Sequence, residues 1–219
     1  PPAPGGAPAA AGLRYGDVTR HVQAAGRALA NLASLPHISV AGSVATATHG
    51  SGDAVGSLAS AVVGLERGIG DGGRRTLRRG DADLPGAGVA RGALGVVTRV
   101  ELETVPTFDV RQDVHVGLPW DAVTAHYDEI TASAYSVSLF TDWGPDGGQL
   151  VWRKSRLAPG ERGGTRADLF GATPATTMLH PLPGIDPVHC APQLGEPGPW
   201  DAGLPPCRLV GRPRTGAGR

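Results

Sequence analysis

The chain has 219 residues, and its 20 basic and 20 acidic side chains leave a formal net charge of zero. Because the basic residues are scattered and balanced by acids, the chain lacks the positive patch that nucleic-acid binding needs, and we expect no nucleic-acid partner. The 34 glycines and 20 prolines lie near the level at which low-complexity behaviour begins, so only part of the chain need be well packed.

Signals for membranes, secretion and metals are scarce. No stretch approaches the roughly 20 apolar residues of a membrane span, and the first residues lack the basic and leucine-rich regions of a signal peptide. Cys190 and Cys207 are the only cysteines and do not make a disulfide framework. The nearby His180 and His189 match no zinc-ligand spacing with them, so no metal site is predicted. A cytoplasmic protein is therefore expected.

In the first half of the chain, the residue pattern predicts helices separated by turns. Residues 1–12 are rich in proline and alanine and are expected to be disordered or a linker. Asp17 is expected to cap a helix over residues 18–29, where apolar residues recur at spacings of three and four. Residues 40–48 are small and suited to close backbone packing, and residues 57–63 predict a short helix.

The second half predicts mainly strands. Alternating apolar and polar residues predict strands over residues 74–79, 96–105, 110–116, 135–143 and 149–152, with an amphipathic helix over residues 121–134. A Gly-Pro-Asp-Gly-Gly turn joins the last two strands. Beyond Ala158 the density of proline and glycine leaves little regular structure. The expected fold class is α+β, with a mixed sheet after residue 106.

Residues 33–52, ASLPHISVAGSVATATHGSG, are the most informative stretch. Their glycines let the main chain approach a ligand closely, and their serine and threonine hydroxyls stand beside backbone N–H groups, which suits a pyrophosphate. A turn of small residues between two strands would also explain the composition. The glycines match neither the P-loop nor the Rossmann fingerprint, so neither of those nucleotide sites is predicted.

Several short segments, in the same order along the chain, resemble those of a known family. They are residues 33–52, GSLAS at 56–60, GALGVVT at 92–98, AYSVSLFTDW at 134–143, VW at 151–152, HPLPG at 180–184 and GEPGPWDAGLP at 195–205. Together they resemble the flavin-dependent oxidases of the vanillyl-alcohol oxidase type, and within that group the alditol (xylitol) oxidases and the related sugar-lactone oxidases. The resemblance covers roughly residues 12–206.

The resemblance implies a division of the chain into four parts. Residues 13–106 would form the C-terminal part of a PCMH-type FAD-binding domain, after the low-complexity start. Residues 107–206 would form the start of a mixed-sheet cap domain over the substrate, and residues 207–219 an irregular tail.

FAD is the cofactor that the resemblance implies. Ser34 would be a hydroxyl on the substrate and flavin side, and Val97 would meet the adenine end through its backbone. The remaining FAD contacts would be Ser39, Gly42, Thr46, Ala47, Thr48 and His49. Ala47 stands where the family usually has glycine, which adds a methyl group where backbone and cofactor are close.

The implied reaction is oxidation of a primary alcohol of a sugar alcohol, or of a sugar lactone, with dioxygen as acceptor and hydrogen peroxide as product. The partners would be the polyol or lactone and dioxygen, and the protein would be a monomer. The family's upstream loop with a flavin-linked histidine, and its C-terminal charged catalytic residues, have no counterpart in this sequence. No catalytic residue is therefore assigned, and a fragment lacking both ends, with weak or no turnover, is expected.

One further departure lies within the matched part of the chain. Residues 65–75, rich in glycine and arginine, stand where the family has an apolar strand, a turn and a second strand. Their composition predicts a poor hairpin.

Three alternatives remain open at this point. The chain could be a non-catalytic FAD-binding remnant, or a structural or interaction protein rich in glycine and proline. A hydrolase using Ser34, His49 and Asp53 is less well supported, because the sequence has no G-x-S-x-G elbow.

Overall fold

A computed structural model describes residues 5–33, 35, 37–145, 147–158, 160–181, 195 and 197–199. The helices are α1 (Tyr15–Ala24), α2 (Val40–Ala45), α3 (Leu84–Gly88) and α4 (Trp120–Thr131), with a 3-10 helix at Leu58–Ala61. The strands are β1 (Gly6–Ala10), β2 (Arg27–Ala28), β3 (Val62–Gly68), β4 (Arg74–Arg78), β5 (Val96–Glu103), β6 (Val105–Pro106), β7 (Asp109–Leu118), β8 (Ser136–Phe140), β9 (Gly148–Leu157), β10 (Thr173–Pro174) and β11 (Pro197–Pro199). The expected α+β class is confirmed. Over these described ranges, no helix has the length and apolar character that crossing a membrane requires.

The first sheet has the strand order β1-β5-β3-β4, with antiparallel neighbours throughout. Leu65 on β3 lies opposite Val100 on β5, and both are almost fully buried. They share one core with residues of the helices, among them Val18 of α1, Val44 of α2 and Ala87 of α3. This hydrophobic core sets the position of the short helices against the sheet.

Strand β1 lies in the segment that was expected to be disordered. Its residues pair with β5 from Gly6 opposite Glu103 to Ala10 opposite Arg99. Main-chain hydrogen bonds need no large side chains, and Ala9 is buried in the core. Composition alone therefore missed an edge strand.

The stretch expected to be a poor hairpin forms a regular one. Strands β3 and β4 pair over five positions, from Gly64 opposite Arg78 to Gly68 opposite Arg74. In the turn, Gly72 has a φ of +83°, and the N–H of Gly73 donates to an Asp71 carboxylate oxygen at 2.7 Å. The turn residues decide the pairing, although the strand composition is unfavourable.

Helix α1 begins and ends earlier than the pattern predicts. It begins at Tyr15, whose N–H donates to the Ile38 carbonyl at 3.1 Å. Asp17 lies in the first turn instead of at the cap and pairs with Arg20 at 2.5 Å. Leu29, predicted to lie on this helix, lies beyond the helix end yet remains in the core.

The second sheet has the order β10-β7-β9-β8, and β11 also pairs with β7. All of its described ladders are antiparallel. Ile130 of α4 packs with Leu118 and Val151 in one core cluster, whereas Val114 and Trp152 belong to another. The short β2–β6 ladder lies just before the chain enters β7.

Helix α2 ends in a left-handed residue. Ala47 has a φ of 55°, its N–H donates to the Val44 carbonyl at 3.1 Å, and the N–H of Thr48 donates to the Ser43 carbonyl at 2.9 Å. These two bonds are those of a Schellman motif, in which glycine is the preferred residue at the left-handed position. The small residues at 40–48 thus form a capped helix.

We expect Ala47→Gly to raise the free energy of unfolding by about 1 kcal/mol, because an L side chain is disfavoured in the left-handed region. The matched control is Ala45→Gly inside the same helix, which is expected to lower it by about 1 kcal/mol. Urea unfolding followed by circular dichroism measures both variants. A glycine at 47 that is neutral or destabilising would contradict the role given to this cap.

Candidate cofactor site

Helix α2 is anchored to the end of the first sheet by its own main chain. The N–H of Val40 donates to the Leu13 carbonyl at 2.9 Å, and that of Ala41 to the Ala11 carbonyl at 3.2 Å. Ser39 is the N-cap, and its hydroxyl accepts from the Gly42 N–H at 3.3 Å. Because these N–H groups are used inside the chain, α2 presents side-chain hydroxyls rather than a free helix N-terminus to a ligand.

Four residues within and just after α2 are here called the α2 strip: Gly42, Thr46 and His49, which are exposed, and Thr48, which is half-buried. The Thr46 hydroxyl donates to the Gly42 carbonyl at 3.0 Å and lies 3.2 Å from the Thr48 hydroxyl. His49 Nδ1 lies 3.1 Å from the Gly50 carbonyl oxygen. A Cβ at Gly42 would lie 2.5 Å from Ser39 Oγ, so glycine at this position keeps the Ser39 cap intact.

The fold brings Val97 to the same end of the sheet as α2. The N–H of Ala11 donates to the Thr98 carbonyl at 3.1 Å, while the Ala11 carbonyl receives the Ala41 N–H. One peptide segment therefore joins the start of β5 to the start of α2. Ser39, Gly42 and Val97, which lie far apart in sequence, thus share one end of the first sheet.

Some residues singled out in the sequence are not among those that the structure describes. Ser34, expected beside the substrate and flavin, lies outside the described residues, as do His189, Cys190 and Cys207. Within the described part of the chain, no group of three or more histidine, cysteine, aspartate or glutamate side chains is placed to hold a metal ion.

Residues 48–58 form a loop that contacts both sheets. The N–H of Leu58 donates to the Thr48 carbonyl at 2.9 Å and closes the loop. Ser51 Oγ lies 2.9 Å from Ser136 Oγ and 2.6 Å from Ser138 Oγ, on β8 of the second sheet. Alternation along SVSLF places both serines on one face of the strand, but nothing in the sequence identifies Ser51 as their partner.

The arrangement does not assemble the hydrolase alternative. Asp53 accepts a hydrogen bond from the Thr131 hydroxyl at 2.8 Å, at the end of α4. His49 is directed to the carbonyl of Gly50. Asp53 therefore links the loop to the second half of the chain, and its described hydrogen bond does not orient the histidine.

Sequence reasoning also missed a cavity of about 290 Å³ between the two sheets. Its polar lining includes Asn31, Ser57, Glu103, Tyr135 and Arg156. The Tyr135 hydroxyl donates to a main-chain carbonyl, and burial raises the pKa of Tyr135. Glu103 is the last residue of β5, so this cavity lies at the opposite end of that strand from Val97.

A buried cation lies beside Val97. Arg67 on β3 is the register partner of Val97 and is only 9% exposed. Its Nε and Nη1 atoms have no hydrogen-bond partner among the described residues. A buried guanidinium needs an acceptor, and an anionic dinucleotide would supply phosphate oxygens. The residues at this end of the sheet, with the exposed hydroxyls of the α2 strip, therefore fit FAD.

Comparison with known proteins gives a consistent pattern. The chain is 44% identical over 206 residues to an alditol oxidase from a Streptomyces species, covering 94% of this chain and 48% of that protein. It is 29% identical over 178 residues to the D-arabinono-1,4-lactone oxidase of Eremothecium gossypii, covering 75% of this chain and 31% of that protein. The chain thus spans about half the length of the first relative and less of the second. No protein-family model matches it.

The fold has a counterpart among solved structures. A cholesterol oxidase from Brevibacterium sterolicum superposes with a TM-score of 0.61 at 18% identity, over 69% of this chain and 32% of that one. At this identity the likeness concerns the fold alone. The resemblance found in the sequence is borne out by the 44% identity to the bacterial alditol oxidase over 94% of this chain, and the fold of the cholesterol oxidase agrees with it.

Proposed function

We propose that the chain provides the cofactor-binding and substrate-covering part of an FAD-dependent oxidase. The reaction would oxidise a primary CH–OH group of a sugar alcohol, or a sugar lactone, with dioxygen as acceptor and hydrogen peroxide as product. The observation that carries the proposal is that the main chain of Ala11 joins the start of α2, with Ser39 and Gly42, to the start of β5 beside Val97, in a chain 44% identical to an alditol oxidase.

The FAD contacts proposed for this chain follow the sequence match. They are Ser34, Ser39, Gly42, Thr46, Ala47, Thr48, His49 and Val97. The structure supports this assignment for Thr46, because the hydrogen bond from its exposed hydroxyl to the Gly42 carbonyl fixes the orientation of that side chain. Ser34 is in addition the proposed substrate contact, and no catalytic residue is assigned.

The domain division proposed is residues 13–106 for the FAD-binding part and residues 107–206 for the cap. The described ladders support it, because the first sheet uses strands up to Glu103 and the second begins at Asp109. The loop at 48–58 contacts both, so it would set the distance between cofactor and cap.

FAD, when bound, accepts the hydride and passes electrons to dioxygen. This chain's own residues would hold the cofactor and position the alcohol carbon of the substrate beside it. We propose that the protein acts as a cytoplasmic monomer whose partners are the polyol or lactone and dioxygen. Its zero net charge is consistent with the absence of a nucleic-acid partner.

A bulky residue at Thr46 is expected to block FAD. Thr46→Tyr should weaken FAD binding at least about tenfold, a loss of about 1.4 kcal/mol, by filling the space over the α2 strip. Thr124→Tyr is the matched control, because Thr124 is also exposed and also donates to the carbonyl four residues earlier, at 2.9 Å. Quenching of flavin fluorescence on titration measures both. Equal affinities of the two variants would count against this site.

The chain loaded with FAD is expected to release its flavin into the supernatant on acid precipitation, because no histidine is assigned to a covalent flavin link. Anaerobic addition of xylitol should then bleach the visible flavin bands only slowly, because no catalytic residue is assigned, and readmitting air should yield a small amount of hydrogen peroxide. Bound flavin that neither polyols nor lactones reduce would refute the oxidase proposal and favour the non-catalytic FAD-binding alternative.

A further inference from the structure

The side chain of Arg67 is buried at the end of the first sheet without a partner. It is 9% exposed, and its Nε and Nη1 atoms have no hydrogen-bond partner among the described residues. An unpaired buried charge costs several kcal/mol even after the surroundings relax. A guanidinium left in this condition is a site that still needs an anion.

A second buried arginine shows how this chain satisfies such a group. Arg153 on β9 is 7% exposed. Its Nε donates to the Ser133 hydroxyl at 3.0 Å and its Nη2 to the Ser133 carbonyl at 2.6 Å. Burial is the main cause that lowers the pKa of Arg153, and the charge of Asp113 opposes it. Arg67 is buried to a similar degree, but its Nε and Nη1 atoms donate no hydrogen bond to any described residue.

The residue opposite Arg67 on β4 is another arginine. Arg67 and Arg75 are register partners in the antiparallel β3–β4 ladder, so their side chains leave the same face of the sheet. Like charges in this position repel each other and destabilise the ladder. An anion between the two guanidinium groups would remove both the repulsion and the unmet hydrogen bonds of Arg67.

Two acids of the same sheet, Glu66 and Glu101, have other partners. Glu66 accepts from the Thr98 hydroxyl at 2.6 Å, and Glu101 lies 3.4 Å from Arg78. Neither Arg67 nor Arg75 forms an ion pair with any residue that the structure describes. The described residues therefore supply no counter-charge to Arg67 and Arg75.

We propose that Arg67 and Arg75 form an anion site that takes a phosphate group at the start of β5. Arginine presents a planar fork of donors that matches phosphate oxygens, so the buried Arg67 would orient the group and the exposed Arg75 would close over it. Val97, the other register partner of Arg67, is where the adenine end of FAD is proposed to lie. The source assigned to the phosphate is the diphosphate of that cofactor; to this extent the inference rests on the proposed function, while a free phosphate would use the same chemistry.

The test measures binding of ADP, inorganic phosphate, FAD and riboflavin to the full chain by calorimetry at constant ionic strength. The variants are Arg67→Met and Arg75→Met. The control is Arg99→Met, which removes an equal charge from an exposed position opposite Glu66 in the same sheet. Circular dichroism checks that each variant is folded. If Arg67→Met does not fold, the exposed Arg75→Met decides the result, with ADP binding as the readout.

Wild-type chain should bind ADP and FAD, and Arg67→Met should weaken both at least about tenfold, as expected for the loss of charged hydrogen bonds. Arg75→Met should weaken them by a smaller factor, while Arg99→Met should leave ADP binding unchanged within about twofold, since it is not part of the site. Riboflavin, which has no phosphate, should bind equally to all four proteins. Unchanged ADP and FAD binding in both site variants would overturn the anion site.

The outcomes separate this inference from the proposed function. If FAD binds and is reduced by xylitol in every variant alike, the oxidase stands and the anion site fails. If ADP or inorganic phosphate binding depends on Arg67 but FAD does not bind, the anion site stands with a free phosphate as its ligand and the oxidase proposal fails. If the wild-type chain binds neither ADP nor inorganic phosphate, the inference is wrong.

Discussion

The main chain of Ala11 makes the contact on which the candidate site depends. Its N–H bonds β5 at Thr98, and its carbonyl receives the first turn of α2 at Ala41. Because β5 is itself held between β1 and β3, Ala11, together with the Leu13 carbonyl that accepts from Val40, ties a four-stranded sheet to a helix of only six residues. A helix this short has little stability of its own. Its exposed face can present a fixed surface to a ligand because the sheet holds the other face.

A few small side chains also make the contacts where the two halves of the chain meet. The loop over residues 48–58 uses small polar side chains, Ser51 and Asp53, to contact β8 and the end of α4. Gly52 lies between them, and a Cβ there would lie 2.7 Å from the Tyr135 carbonyl oxygen. Close approach of this loop to the second sheet therefore requires glycine at 52. In the proposed oxidase, cofactor and cap positions would be coupled through this one loop.

Two arginines at the end of the first sheet, Arg67 and Arg75, have no acidic partner among the described residues. Buried polar groups normally have hydrogen-bond partners, and Arg153 finds two in the hydroxyl and the carbonyl of Ser133. Arg67 and Arg75, side by side on β3 and β4, lack such partners, although the hairpin that holds them is regular. This is the arrangement from which we propose a phosphate site at the end of the first sheet.

Alternation and turn residues predicted the α+β class and most strands of the second half, because these signals act over a few positions, whereas the family resemblance rests on longer matched stretches such as residues 33–52. The pattern predicted β7, α4 and β9 close to their observed places. It missed β1, predicted a poor hairpin where β3 and β4 pair regularly, and described residues 40–48 only as suited to close backbone packing, where α2 forms. These errors share a cause: β1 depends on pairing with β5, and α2 depends on Ala11 and Leu13. The sequence by itself named the residues of the α2 strip. Only the tertiary structure joined the start of α2 to β5 through Ala11 and placed Arg67 opposite Val97, because main-chain pairing and sheet register bring together residues that no local pattern connects.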